Sequence, residues 1–249
     1  MAKNRFELLF EDEHLLVLSK PAGWLSVPDR YDPSIPSLAQ VLREKREWVA
    51  PVHRLDKDTS GIICFAKRED THKELNTQFR ERTVEKIYQA IVLGVPSAEA
   101  GEITAPLLPH PAKPGRMIVH HGEGKAAHTN YKTLESFQGA AWLEIDLLTG
   151  RTHQIRVHLA HIGYPLLVDP FYGTKDRFFV SEIKGRRYRL GKGEEERPLL
   201  KRTSLHAQKL TFTHPANGER LTFSAEMPKD MRATLQQLRK WAAGESGQC

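Results

Sequence analysis

The sequence predicts an α+β protein built on a mixed, mainly antiparallel sheet with flanking helices, and three observations carry that expectation. Segments with strand-like apolar alternation or short apolar runs outnumber those with helical periodicity. Several of these strand-like segments are joined by short turns, as in hairpins. No regular strand–helix–strand alternation, which a parallel sheet requires, runs along the chain.

The elements follow in order. Phe6–Phe10 and His14–Leu18, separated by Glu11-Asp12-Glu13, read as two strands of a hairpin. Ser37, with Gln40 three residues on, is a capping-box signal for a helix whose Leu38, Val41 and Leu42 form one apolar stripe. Ile62–Ala66 reads as a short buried strand, and Thr71 with Glu74 as a second capping box opening a helix that presents Leu75 and Phe79. Ile87–Leu93, ending at Gly94, is an apolar strand. Segment 96–127, rich in Pro, Gly and His, is expected to be an excursion of strands and loops and not a linker between domains. Leu143, Ile145 and Leu147 alternate with Glu144 and Asp146 as a half-buried strand does. The period then changes: Ile155, Leu159 and Ile162 share one helical face, and Gly163 supplies a stop. His206–Phe212 and Arg220–Phe223 flank an Asn217-Gly218 step, a hairpin cue, and Met231, Leu235, Leu238 and Trp241 give a closing amphipathic helix.

With 249 residues, 39% hydrophobic and 27% charged, and no repeat or low-complexity tract, the chain has the composition of a soluble globular protein and is expected to form a single domain, 1–249. No apolar run approaches the roughly 20 residues of a membrane span, and Met1–Arg5 leads into no long apolar segment, so a cytoplasmic location with no membrane partner is expected. The two cysteines, Cys64 in an apolar run and Cys249 at the chain end, make neither a disulfide framework nor a metal cluster. The formal charge is +6, and the stretch from Lys175 to Lys209, with eleven basic and five acidic residues, carries an excess equal to it. Such a stretch is either a solvated loop or a phosphate-binding surface.

Two segments concentrate reactive side chains. Pro51–Gly61 gathers His53, Arg54, Asp56, Lys57 and Asp58 with a Thr59-Ser60-Gly61 turn ahead of the buried strand, a usual place for catalytic groups. Asp58, Thr59 and Ser60 are expected to bond local backbone groups. Asp56 differs: it follows apolar Leu55, and a partly desolvated carboxylate needs a cationic partner to stay charged. The second segment, Gly150–His161, offers Arg156, which lies off the apolar stripe and so is free to face a cleft. His158 and His161 have the helical spacing of paired metal ligands, but no His-Glu-x-x-His arrangement or cysteine pair accompanies them, and no metal is expected.

His53-Arg54-Leu55-Asp56 with Thr59-Ser60-Gly61, Gly150–Arg156, and Gly163–Asp169 ending at Tyr172-Gly173 together resemble the RluA family of pseudouridine synthases. Lys20-Pro21-Ala22-Gly23, Lys86-Ile87-Tyr88, Gly124-Lys125 with Thr129, and Leu205-His206-Ala207 agree with that family in order, so the resemblance runs from about Phe6 to Pro228. Val168 stands where the family usually has glycine. No counterpart of the small RNA-binding module that often precedes the catalytic domain in relatives is expected, so RNA capture is expected to rest on the catalytic domain.

The resemblance implies a pseudouridine synthase fold with a central RNA-binding cleft, and conversion of specific uridines to pseudouridine in structured ribosomal or transfer RNA. Reactant and product are isomers, so no cofactor is required. Asp56 would be the essential carboxylate, attacking the ribose, adding to the base or removing a ribose proton. Arg156 would pair with it, since a guanidinium stays charged and orients a carboxylate. Tyr88 would stack on the target base and help remove its C5 proton, and Leu205 would line the base pocket. Because a stacked uridine must be extruded, Arg54 would fill the vacancy. Arg186, Arg187 and Arg189 would hold phosphates, and a monomer is expected. Two other classes compete with this reading. Asp58-Thr59-Ser60-Gly61 is superficially like an aspartic-protease loop, but no second carboxylate loop of that type is evident. A non-catalytic RNA-binding factor would not need the full set of Asp56, Tyr88 and Arg156.

Overall fold

Alternating apolar residues and a tight acidic turn start the chain as a strand pair, and the computed structural model describes residues 6–29, 32, 34–191 and 193–243. In chain order the elements are β1 (Glu7–Glu11), β2 (Leu15–Lys20), α1 (Leu38–Arg43), β3 (Ala50–Pro51), β4 (Ser60–Ala66), α2 (Glu69–Glu81) and β5 (Glu85–Leu93). Then come β6 (Ala100–Ile103), β7 (Leu107–Pro109), β8 (Met117–Val119), β9 (Thr129–Phe137), β10 (Ala140–Leu147) and α3 (Gln154–His161). The chain closes with α4 (Val180–Lys184), a 3-10 turn at Gly185–Arg187, β11 (Leu205–Thr213), β12 (Arg220–Ser224) and α5 (Lys229–Trp241). Met1–Arg5, Lys192 and Cys249 lie outside the described residues. Among the described residues no helix is long and apolar enough to cross a membrane.

Two compact units divide the chain: Met1–Tyr88 with His206–Glu226, and Gln89–Leu205 with Met227–Cys249. In the first, strands run in the order β1-β2-β4-β11, with β12 on β11 and β3 on β4. All of these pairs are antiparallel except β4 with β11. The turn between β1 and β2 is held by Asp12, whose Oδ1 accepts the N–H groups of His14 and Leu15 at 2.7 and 2.6 Å. The predicted capping box is present at α1: Gln40 N–H donates to Ser37 Oγ, and Ser37 N–H to Gln40 Oε1. Strand β4 is buried along its whole length. With Leu15, Val17, Leu75 and Phe212 its inward side chains make the core of this unit, each large apolar group contributing about 1.5–3 kcal/mol.

One helix start differs from the sequence expectation. α2 begins at Glu69, not at Thr71, with no side-chain cap. Glu69 and Asp70 instead place negative charge in its first turn. Thr71 is buried, and its hydroxyl bonds His14 Nδ1 at 3.2 Å, a long-range use that local spacing does not reveal.

In the second unit β10 pairs with β9, and β9 with β6, both antiparallel, while β7 and β8 form a separate two-stranded ribbon. The expected strand around Leu143–Leu147 is part of β10. β9 is not evident from the sequence, because its half-buried face carries Tyr131, Thr133 and Glu135 and apolar alternation is missing. α5 buries Met231, Leu235 and Leu238 against Ile91, Phe137 and Val168. Val168 is fully buried and packs in this cluster, so its side chain serves the core. A smaller cluster of Leu107, Ala127 and Val157 joins the β7–β8 ribbon to α3, with Tyr172 packed against it. The mixed, mainly antiparallel α+β architecture is the one expected.

Candidate active site

In the first unit the segment between β3 and β4 carries Arg54 and Asp56, and four groups fix it. His53 anchors its start: Nε2 accepts the Cys64 N–H at 3.0 Å, and the ring stacks on Phe79 at 5.2 Å. Burial, with the nearby charge of Lys86, pushes the His53 pKa down to about 3, which keeps the ring neutral and that nitrogen an acceptor. Leu55 is clamped by a single hydroxyl, since its N–H donates to Ser26 Oγ at 3.0 Å and its carbonyl accepts from the same hydroxyl at 2.8 Å. The carbonyl of Lys57 accepts from Lys20 Nζ and from Gly23 N–H, both at 2.9 Å. Lys20 is 1% exposed and also donates to the carbonyls of Pro21 and Trp24. Asp56 thus sits between two residues whose backbone is tied down, and its own carbonyl accepts from Thr59 N–H. Its side chain is half-buried, whereas Arg54 is exposed.

Tyr88 is buried at the end of this unit's share of β5. Burial first, and the negative charge of Asp56 second, push its pKa well above the usual tyrosine range. Tyr88 is therefore a neutral phenol at physiological pH, and Asp56 acts on it electrostatically. The expectation that Asp58, Thr59 and Ser60 only bond local backbone needs correction at Ser60. Ser60 Oγ bonds His206 Nδ1 at 2.9 Å, and His206 Nε2 donates to the Ala225 carbonyl, so the hydroxyl ties β4 to β11.

In the second unit Arg156 does not stand off a separate apolar stripe, as the spacing suggested. Gln154–Leu159 are all buried, so α3 has no amphipathic stripe. Arg156 is 6% exposed and forks onto Asp169, Nε to Oδ2 at 2.7 Å and Nη2 to Oδ1 at 2.8 Å. Burial alone would raise the Asp169 carboxyl, but these bonds, the Arg156 charge and the N–H groups of Phe171 and Tyr172 hold it below the ordinary carboxylate range. Asp169 is the carboxylate partner of Arg156 that the sequence reading missed. Its motif was visible, yet spacing alone does not say which acid an arginine meets. The guanidinium also lies over the rings of Phe171 and Tyr172, at 5.3 and 5.1 Å.

Gln154 organises the start of α3. Its Nε2 donates to Thr129 Oγ1 and to the His128 carbonyl, and its Oε1 accepts from Thr149 Oγ1 and Arg151 N–H. Burial lowers the His158 pKa, so the ring is neutral; Nε2 donates to the Ala105 carbonyl and Nδ1 accepts from Thr129. Both nitrogens of His158 are thus used in packing α3. Among the described residues no group of three His, Cys, Asp or Glu is placed to hold a metal ion.

Leu205 is 3% exposed, and its carbonyl accepts from Arg202, which forks onto Asp230 at 2.7 and 2.8 Å. The basic stretch is narrower in charge than its sequence suggests. Besides Arg202, Lys175 pairs with Glu182 and Arg177 with Asp176. Arg186, Arg187 and Arg189 are exposed on and after the 3-10 turn, and no carboxylate among the described residues pairs with them.

Comparison with known proteins gives this geometry a family. Residues 14–161 match the family model described as RNA pseudouridylate synthase. The chain belongs to the RNA pseudouridylate synthase family. It is 39% identical over 244 residues to ribosomal large subunit pseudouridine synthase D of Pseudomonas aeruginosa, spanning 94% of this chain and 72% of that protein. It is 37% identical over 235 residues to ribosomal large subunit pseudouridine synthase C of Escherichia coli K12, spanning 93% and 70%. The solved structure titled Human RNA Pseudouridylate Synthase Domain Containing 4 is similar with a TM-score of 0.69 at 27% identity, over 94% of this chain and 93% of that one. The resemblance to the RluA synthases is thereby established, and with it the enzyme class: the chain is an RNA pseudouridine synthase that isomerises uridine in RNA.

Proposed function

We propose that this synthase acts on uridines of large-subunit ribosomal RNA, as a cofactor-free and metal-free monomer in the cytoplasm, with Asp56 as its essential carboxylate. The target is supported by the names of its relatives, ribosomal large subunit pseudouridine synthases C and D. The observation that carries the residue assignment is the way Ser26, Lys20 and Gly23 clamp the backbone on both sides of Asp56 while its charge bears on Tyr88. A carboxylate held this way presents a fixed charge to a substrate without a reorganisation cost.

The reaction breaks the bond between N1 and the ribose carbon, turns the base, and joins C5 to the same carbon. The C5 proton leaves and N1 gains one. Asp56 supplies the nucleophile or base at the sugar. Tyr88, held as a neutral phenol, offers its ring face to the base and its hydroxyl as a hydrogen-bonding group. Asp169 holds in one orientation the guanidinium of Arg156, the cation that the family resemblance assigns to Asp56; the same resemblance gives Leu205 a place in the base pocket and Arg54 the stack vacated by the extruded nucleotide.

The test is tritium release from transcripts labelled at uridine C5, one of large-subunit ribosomal RNA and one of transfer RNA. Wild type is expected to release tritium from the ribosomal transcript. Asp56→Asn is expected to release none while keeping the wild-type melting midpoint. Release by folded Asp56→Asn would remove the carboxylate from the chemistry, and release confined to transfer RNA would reassign the substrate.

A further inference from the structure

Phe171 is a large apolar side chain on the surface of the second unit, 41% exposed although polar and aromatic neighbours fix its place. Its backbone is pinned by the buried Asp169, whose Oδ1 accepts the N–H groups of Phe171 and Tyr172 at 2.9 and 3.1 Å. Arg116, immediately before β8, lies over the ring at 4.9 Å and donates from Nη1 to the Phe171 carbonyl at 3.0 Å. Arg156 lies over the same ring at 5.3 Å, and the His153 ring meets it edge-on at 5.9 Å. No carboxylate among the described residues pairs with Arg116. An exposed, rigidly oriented aromatic ring beside an uncompensated guanidinium is what an unpaired nucleotide recognises. The base stacks on the ring and the phosphate meets the cation.

We propose that Phe171 and Arg116 form a stacking subsite for one unpaired base of the RNA substrate, adjacent in the chain to the Asp169 that fixes Arg156. The inference rests on the chain being an RNA pseudouridine synthase and adds where, and by what contact, a non-reacting nucleotide is held. Arg116 ends the segment that connects β7 to β8, which also carries Lys113. That segment therefore contributes charge while the turn after Asp169 contributes the stacking surface. Asp169 sets the ring without touching RNA.

The experiment compares binding of a mixed-sequence 12-nucleotide single-stranded RNA with binding of a blunt duplex of the same sequence, by wild type, Phe171→Ala, Phe171→Trp and Arg116→Gln. Phe171→Ala is expected to weaken single-strand binding by roughly ten-fold or more at unchanged salt slope, because stacking is not ionic. Duplex binding should not change, and Phe171→Trp should restore single-strand binding. Arg116→Gln is expected to weaken binding with a log-log salt slope flatter by about 0.7, one phosphate contact on a single strand. If Phe171→Ala, with a wild-type melting midpoint, binds the single strand as tightly as wild type, the subsite is refuted. It is also refuted if Trp fails to rescue or if single strand and duplex lose affinity equally, which would mark Phe171 as a lid on the Arg156–Asp169 pair. Wild-type tritium release from a C5-labelled transcript, run alongside, separates the two levels. Its absence would overturn the synthase reading, whereas its presence with unaltered Phe171→Ala binding would overturn the subsite alone.

Discussion

A guanidinium and a carboxylate that are both removed from water stabilise a fold only when their geometry is good, and the Arg156–Asp169 pair meets that condition with two bonds of 2.7 and 2.8 Å. The remaining acceptor capacity of Asp169 is used by the N–H groups of Phe171 and Tyr172, so no charge is left unsatisfied on the acid. Removing one partner leaves the other buried and uncompensated. Asp169→Asn is therefore expected to lower unfolding free energy by about 3–5 kcal/mol, read by urea titration. A loss below about 1 kcal/mol would show that water reaches Arg156 and that the pair is not a buried one.

At the scale of elements, β4 and β11 approach so closely beside the segment that carries Asp56 that only glycine fits where they pair. A Cβ on Gly61, which has φ +115, would lie 2.1 Å from the Ala207 carbonyl oxygen, and neither backbone can yield. Gly23 is a useful contrast, with φ +84 but nothing within 4 Å of an added Cβ. Gly61→Ala is expected to cost more than about 4 kcal/mol, and Gly23→Ala only about 1–2 kcal/mol of backbone strain. Differential scanning calorimetry of the two variants checks the order. The 3-10 turn after α4 makes a second prediction. Replacing Arg186, Arg187 and Arg189 with Gln is expected to weaken binding of many RNAs alike and to flatten the log-log salt slope by roughly 0.7–0.9 per lost contact. Single-turnover chemistry should survive at saturating RNA. An unchanged slope and affinity would mark the turn as solvated surface.

Across the whole molecule, protonation links the site to stability. The folded-state pKa of His53 is about 3, below its ordinary 6.5, and that of His158 is lowered as well. Between those values the unfolded chain binds more protons, so stability falls as pH drops below about 6.5, by up to about 1.4 kcal/mol per pH unit for each fully neutral histidine. Asp12, Asp169 and Asp230 all have carboxyls held below 3.8. Their contribution is complete above about pH 4 and is lost only as pH falls through the folded-state values. Urea midpoints are thus expected to decline in two stages, first the histidines and then the acids. A flat profile between pH 6.5 and 4.5 would show that His53 protonates freely in the fold.

Much was legible where the chemistry is local. The Ser37–Gln40 capping box, the β1–β2 hairpin, the alternation of β10 and the Gly163 stop depend on neighbours a few residues apart, and local spacing displays them. The ordered motifs around Asp56, Tyr88, Arg156 and Leu205 likewise sufficed to place the chain among the pseudouridine synthases. Partner choice was not legible. Which carboxylate Arg156 meets, that His53 accepts a strand N–H, that Thr71 serves His14 instead of a cap, and that Arg202 is held by Asp230 while Arg186 remains exposed are all decided across long stretches of chain. Spacing along the chain sets periodicity, turn chemistry and the inventory of charges. Only the packed fold determines which of those charges lose their water, and a desolvated group must find whatever partner the tertiary structure brings within hydrogen-bonding reach.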